Sequence, residues 1–201
     1  MNREEKNQHT KEIIQRSAVT EFALHGYEAA SMNAICHRGA VSKGIVYHYF
    51  DSKENLYLDC VEACFRELTV YLKQRITDAK GQEMLSQYFN LRMQFFRKNE
   101  EAAQLFCGAV LFPPDTLKEK IADQRREFDA FNRKILQSII CDGPVRKDIN
   151  EAEMIRVFEA FQDFLNAGYR NVIGHKENLL RHEIDCHNAL SIFLYGIIKR
   201  K

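Results

Sequence analysis

Residues 41–57 read VSKGIVYHYFDSKENLY. Ser42 is a good N-cap for a short helix that reaches Phe50. Projected at about 100° per residue, Val46 and Phe50 fall on one side of that helix. Gly44 and His48 centre the opposite arc, with Tyr47 on one flank and Ile45 and Tyr49 on the other. A core helix does not carry Tyr-His-Tyr on its outer arc, and a solvated helix does not hold that much aromatic surface. The outward face suits the major groove of DNA. Gly44 lets the backbone come close, while Lys43 and His48 supply donors for base edges. The hydroxyls of Tyr47 and Tyr49 suit flanking phosphates, which set register. Asp51 or Ser52 caps the next helix, and Lys53 in its first turn reaches a phosphate beside that helix's free N–H groups.

Working back from this stretch, Gly39-Ala40-Val41 reads as a tight turn. Before it, Ser31 caps a very short helix, MNAICHR, where its hydroxyl also reaches a phosphate. Thr10 reads as the N-cap of a first helix, with Ile14, Ala18 and Phe22 at i, i+4 spacing and Gly26 ending it. Short helix, tight turn, short helix is the helix-turn-helix arrangement, in which the second short helix reads the groove.

Bulk properties neither name nor exclude this partner. The 201 residues are 45% hydrophobic and 28% charged, with net charge +1. Residues 1–55 hold seven Lys and Arg against seven Asp and Glu, so any nucleic-acid contact rests on a local cluster. The N-terminus has no apolar run, which argues against a signal peptide or membrane anchor. The apolar stretch LSIFLYGII near the end is too short to span a bilayer. The six cysteines are scattered and read as reduced thiols of a cytoplasmic protein.

Strand signals are weak throughout, and helical periodicity predicts an all-α chain of about nine helices. The fourth helix is expected to continue to about residue 79. Later helices are expected near 82–98, 100–111, 114–141, 150–172 and 177–199, broken at Asn99, Pro113-Pro114, CDGP and IGHKEN.

The segment from about Thr10 to Phe65 resembles the DNA-binding domain of the TetR family of bacterial transcriptional regulators. The resemblance rests on FALHGYEAASMNAIC, AVSKGIVYHYF and SKENLY. Phe22 with Gly26-Tyr27 closes the first helix, Ser31 opens the second, and Tyr47 and Phe50 stand in the recognition helix before Lys53, Glu54 and Leu56. It implies base or near-base contacts from Lys43, Gly44 and His48, and phosphate contacts from Ser31, Tyr47, Tyr49 and Lys53, and Ile45 is counted with these DNA-binding residues. Two positions depart from the family pattern. Ala40 holds the place of a usual glycine, although a residue with a Cβ resists positive φ. Cys36 stands where alanine is usual.

The expected organisation is a helix-turn-helix DNA-binding domain over 8–55, with the motif at about 31–50, and a helical effector-binding and dimerisation domain over 56–201. GPVRKDIN at 143–150 resembles a connector that often precedes the penultimate helix in this family. After it, Ile155, Phe158, Leu165, Tyr169 and Val172 form one stripe and Val157, Phe161 and Phe164 another. A helix apolar over so wide an arc is covered on two sides. The final helix repeats the pattern. The predicted dimer interface is Phe158, Gln162, Leu165, Tyr169, Leu190, Phe193, Leu194 and Ile197, giving a homodimer whose two recognition helices read a palindromic operator. The middle helices are rich in phenylalanine. The resemblance implies a small-molecule pocket there, lined by Phe65, Tyr88, Phe89, Met93, Phe96, Phe106, Phe128, Phe131 and Phe161, for a hydrophobic or aromatic effector.

Other chemistry is thinner. Cys60 and Cys64 share a helix face at i, i+4, as do His182 and Cys186, and either pair suggests a metal or thiol sensor. A thiol- or metal-sensing regulator using Cys60 and Cys64 is the alternative reading. No catalytic constellation, cofactor motif or metal-ligand set is visible, so an enzyme is not expected.

Overall fold

The computed structural model describes residues 2–141, 150–169 and 176–197. These residues form only helices: α1 (Arg3–Ala29), α2 (Met32–Gly39), α3 (Lys43–Tyr49), α4 (Lys53–Arg75), α5 (Gly81–Lys98), α6 (Glu100–Leu111), a 3-10 turn (Asp115–Leu117), α7 (Lys118–Gln124), α8 (Arg126–Cys141), α9 (Glu151–Tyr169) and α10 (Lys176–Ile197). The all-α expectation holds. The connector at 143–149 lies outside the described residues. Asn150, which follows it, caps α9 by accepting the Glu153 N–H at 2.8 Å.

Three boundaries differ from expectation. The first helix starts at Arg3, because Asn2 and Glu5 form a reciprocal capping box. Thr10 is interior to that helix and donates its hydroxyl to the Lys6 carbonyl at 2.8 Å. Gly26 does interrupt the helix, with φ 69°, but one more turn follows before Ala30. The fourth helix stops at Arg75, and the span expected at 114–141 divides at Arg125. No glycine or proline marks that division.

The chain folds as two compact units, each discontinuous in sequence. One comprises Met1–Phe65 and Glu100–Gln124, the other Arg66–Asn99 and Arg125–Lys201. The first therefore contains all of 8–55 but also draws in the start of α4, α6 and α7. The break at Arg125 coincides with the passage from one unit to the other.

In the first unit the i, i+4 stripe of Ile14, Ala18 and Phe22 is buried, as are Ile35, Val46, Phe50, Leu56 and Val61. Each large apolar side chain so buried contributes roughly 1.5–3 kcal/mol. α6 packs along α1, and Phe65 and Phe106 meet edge to face at 5.3 Å. Glu21, only 4% exposed, ties α1 to the start of α2 by accepting the Ser31 N–H at 3.3 Å, with Arg38 Nη2 at 3.7 Å.

In the second unit α5 packs against α8 and α10. Leu85, Phe89 and Phe96 of α5 are buried, as are Phe128, Leu136, Ile139 and Ile140 of α8.

The cysteine reading is corrected here. Cys60 and Cys64 are core residues of the first unit, 1% and 5% exposed. Burial pushes the Cys60 thiol far above its ordinary range, and the Cys64 thiol donates to the Ala102 carbonyl at 3.4 Å. A thiol kept protonated, as Cys60 is, lacks the thiolate a sensor needs, and burial keeps Cys64 from water. Cys186 is likewise pushed up to about 12, chiefly by burial. Among the described residues no three His, Cys, Asp or Glu side chains are grouped to hold a metal ion.

Candidate nucleic-acid interface

Ser42 opens α3 by accepting the Ile45 N–H at 3.3 Å, and the helix closes where the Phe50 N–H reaches the Val46 carbonyl at 3.0 Å. Val46 is fully buried and Phe50 nearly so, which turns the opposite arc outward. Lys43, Gly44, Ile45, Tyr47 and His48 are exposed, and Tyr49 is half-buried. The structure thus brings these residues onto one face, as their spacing predicts.

Gly44 stands out on that face. A Cβ built there meets nothing within 4 Å. Packing within the chain does not call for glycine, and an interior helical glycine costs about 1 kcal/mol relative to alanine. Lys43 Nζ lies 5.8 Å from the centroid of the Tyr47 ring. The His48 ring meets Tyr49 edge-on at 5.2 Å, and the Tyr49 hydroxyl donates to Asn7 Oδ1 at 3.2 Å. A first helix beginning at Thr10 leaves Asn7 outside it, whereas α1 begins at Arg3 and includes Asn7.

The turn before α3 divides its labour between two residues. Ala40 itself adopts the left-handed conformation, φ 49° and ψ 38°. Its N–H and that of Val41 close onto the carbonyls of His37 and Cys36. Gly39 is helical, but a Cβ on it would stand 3.0 Å from Ser17 Oγ, so glycine here permits the close passage of α2 over α1. The expected strain at Ala40 is therefore present, and Gly39 does not relieve it.

Ser31 and Lys53 already have structural work. Ser31 Oγ accepts the Ala34 N–H at 3.1 Å as the cap of α2. Lys53 Nζ donates to the carbonyls of Glu28 and Ala30 at 3.2 and 3.1 Å and lies over the Tyr27 ring at 4.6 Å. Two of its three N–H donors are engaged, which leaves one for any phosphate.

The expected pocket residues are distributed over both units. Phe65 and Phe106 belong to the first unit. Tyr88, Phe89, Phe96 and Phe128 are buried in the second, where Met93, Phe131 and Phe161 are half-buried. An open cleft of about 380 Å³ in the second unit is lined by Arg66, Glu67, Val70, Tyr71, Gln74, Arg75 and Phe95, none of them on that list. Of the expected dimer residues, Phe158 and Leu190 are buried, while Gln162, Leu165 and Phe193 are half-buried. Phe161 and Phe193 stack at 5.6 Å. The side chains of Tyr169, Leu194 and Ile197 lie outside the described residues. Among the described side chains of α9 and α10, the most exposed large apolar ones are Phe164 and Ile192, at 72% and 74%.

Residues 14–60 match the family model described as bacterial regulatory proteins, tetR family. Over this segment the chain is similar to the tetR family. A relative, the HTH-type transcriptional regulator RutR of Escherichia coli, is 25% identical over 111 residues, covering 55% of this chain and 52% of RutR. The chain thus spans about half the length of that relative. The biofilm operon negative regulator IcaR of Staphylococcus epidermidis is 28% identical over 119 residues, covering 59% of this chain and 63% of IcaR. Among solved structures, the regulator FadR of Bacillus subtilis in complex with stearoyl-CoA superposes with a TM-score of 0.70 at 16% identity, covering 92% of this chain and 98% of FadR. That likeness concerns the fold: an N-terminal tetR-family helix-turn-helix segment within an all-helical chain.

Proposed function

We propose that this tetR-family chain is a ligand-responsive transcriptional regulator of the cytoplasm, acting as a repressor. In this reading it binds a palindromic operator as a homodimer and releases it when a small apolar effector binds. The observation that carries it is the face of α3. Lys43, Gly44, Tyr47 and His48 are exposed together while Val46 and Phe50 hold the helix from beneath. None of the four exposed residues serves the core, and each suits a groove. Lys43 and His48 meet base edges, Gly44 allows close approach, and Tyr47 sets register on phosphate. Tyr49 adds a phosphate contact from the flank once its hydroxyl leaves Asn7 Oδ1, Ile45 an apolar contact, and Ser31 a hydroxyl from the neighbouring helix start. Lys53 holds the end of α1 and has one donor left for the backbone.

Exposed Phe164 and Ile192 support association through α9 and α10, because an isolated protomer leaves both in water. A dimer matches a two-fold operator with half-sites about one helical turn apart. Effector release requires that the ligand favour one arrangement of the recognition helices over another. We assign that coupling to a tilt of α4, which begins in the first unit and ends in the second.

The test is selection of bound duplexes from a random library by the full chain, then fluorescence anisotropy at two salt concentrations. The expected result is an inverted repeat bound by two chains, weaker at higher salt. Tyr47→Phe and Lys43→Ala should weaken binding at least about tenfold, each removing a contact of about 1–3 kcal/mol. No enriched sequence, with both variants indistinguishable from the parent, would sink the reading.

A further inference from the structure

Inside the second unit lies a charged cluster that no helix-turn-helix function uses. Arg92 of α5 and Glu183 of α10 are 6% and 0% exposed and pair at 2.7 Å. Arg92 Nη1 donates to the Tyr88 hydroxyl at 2.8 Å, and that hydroxyl donates to Asn132 Oδ1 at 2.7 Å. The guanidinium also lies 5.7 Å from the centroids of both Phe89 and Phe128. The Phe89 ring meets His187 at 5.5 Å, so one phenylalanine touches both ends of the cluster.

Among the described residues, no hydrogen-bond partner reaches Glu183 Oε2 or His187 Nε2, although both atoms are buried. The two residues are four apart on α10 and so share a face. Burying an ion pair is costly even when its hydrogen bonds are complete, and a carboxylate oxygen without one costs more. Close-packed apolar side chains would serve the core at least as well. The arrangement is better explained by an occupant that completes it.

We infer that Glu183 and His187, backed by Arg92, Phe89 and Phe128, form the polar end of the effector site, and that they select a neutral apolar molecule bearing a hydroxyl or amide N–H group. This rests on the effector reading proposed above and names the chemical class of that effector. Arg92 and Glu183 already cancel, so a second full charge of either sign would be buried without compensation. A hydroxyl can donate its one proton to Glu183 Oε2 and accept from His187 Nε2 in the tautomer that carries the ring proton there. The phenylalanines take the apolar body. The site accordingly disfavours carboxylates and phosphates at this end.

The experiment is isothermal titration calorimetry of the full chain with three probes of one shape: para-heptylphenol, its methyl ether and para-heptylbenzoate. The phenol should bind at least about tenfold more tightly than either of the others, since each loses or opposes the bond to Glu183. His187→Phe keeps the ring contact with Phe89 and should narrow that preference. Arg92→Met/Glu183→Leu removes both charges without stranding one, and should erase it. Equal binding of phenol and ether, tightest binding of the benzoate, survival of the preference in the double variant, or no binding of any probe each overturns the inference. DNA plays no part in the titration. Failure of the parent chain to bind any operator in the anisotropy experiment would instead overturn the regulator reading, so the two failures are distinct.

Discussion

Lys53 Nζ stands 3.1 Å from the carbonyl oxygen of Ala30, joining the first turn of α4 to the residue that ends α1. A second bond to Glu28 and the face of Tyr27 complete the contact. The ammonium acts as a C-terminal cap supplied from elsewhere in the chain. Lys53→Ala should lower the stability of the free protein by about 1 kcal/mol, read from urea unfolding. An unchanged midpoint would show that the contact is idle in solution.

The turn at residues 39–40 makes two opposite predictions for neighbouring positions. Ala40 sits at φ 49°, where glycine has no Cβ penalty, so Ala40→Gly should stabilise by about 1 kcal/mol. Gly39→Ala puts a methyl 3.0 Å from Ser17 Oγ and 3.3 Å from Val41 Cγ2, and should destabilise by about 1–3 kcal/mol. Thermal melts of the two variants should therefore move in opposite directions.

Gly44 separates folding from binding. With open space around its missing Cβ, Gly44→Ala should raise stability by about 0.5–1 kcal/mol. In the proposed complex the same methyl stands where the helix backbone approaches the groove, so operator affinity should fall. A variant both more stable and equally tight would show that nothing approaches α3 closely at this point.

The Arg92–Glu183 pair predicts an acid limb. Burial raises the Glu183 carboxyl, but Arg92 and His182 outweigh it and hold the pKa below its ordinary value of 4.5. A folded pKa below the unfolded one stabilises above the unfolded value and loses that contribution as pH falls through the folded value. Stability should thus decline on acidification below about pH 4.5. Arg92→Met/Glu183→Leu should flatten that decline while leaving stability at neutral pH unchanged or higher. Urea titrations at pH 7 and about pH 3 measure both.

Phe164 and Ile192 predict the oligomeric state. Each exposes more than two thirds of its surface in the protomer. Phe164→Glu with Ile192→Glu should shift sedimentation from dimer to monomer without altering the helical circular dichroism, because neither side chain supports the protomer core. Sedimentation as a dimer in that variant would place the interface elsewhere.

Local patterns carried most of the first unit's character. The all-helical class, the caps at Ser31 and Ser42, and the inward Val46 and Phe50 against an outward Lys43, Gly44, Tyr47 and His48 follow from helical periodicity and side-chain chemistry. Both act within a few residues. The tertiary structure decided what depends on partners distant along the chain. Cys60 and Cys64 share a face legibly, but only packing against α1 and α6 makes them inert. Lys53 reads as a free cation until Glu28 and Ala30 are placed beside it. Arg92 and Glu183 lie 91 positions apart, and no periodicity connects them. The assignment of Phe65 and Phe106 to a different unit from Tyr88, Phe89 and Phe128 likewise depends on where the chain divides, at residues 65 and 124. Helix propensity and amphipathic spacing are properties of neighbours, whereas burial of charge and the grouping of side chains into a site arise only when remote segments pack together.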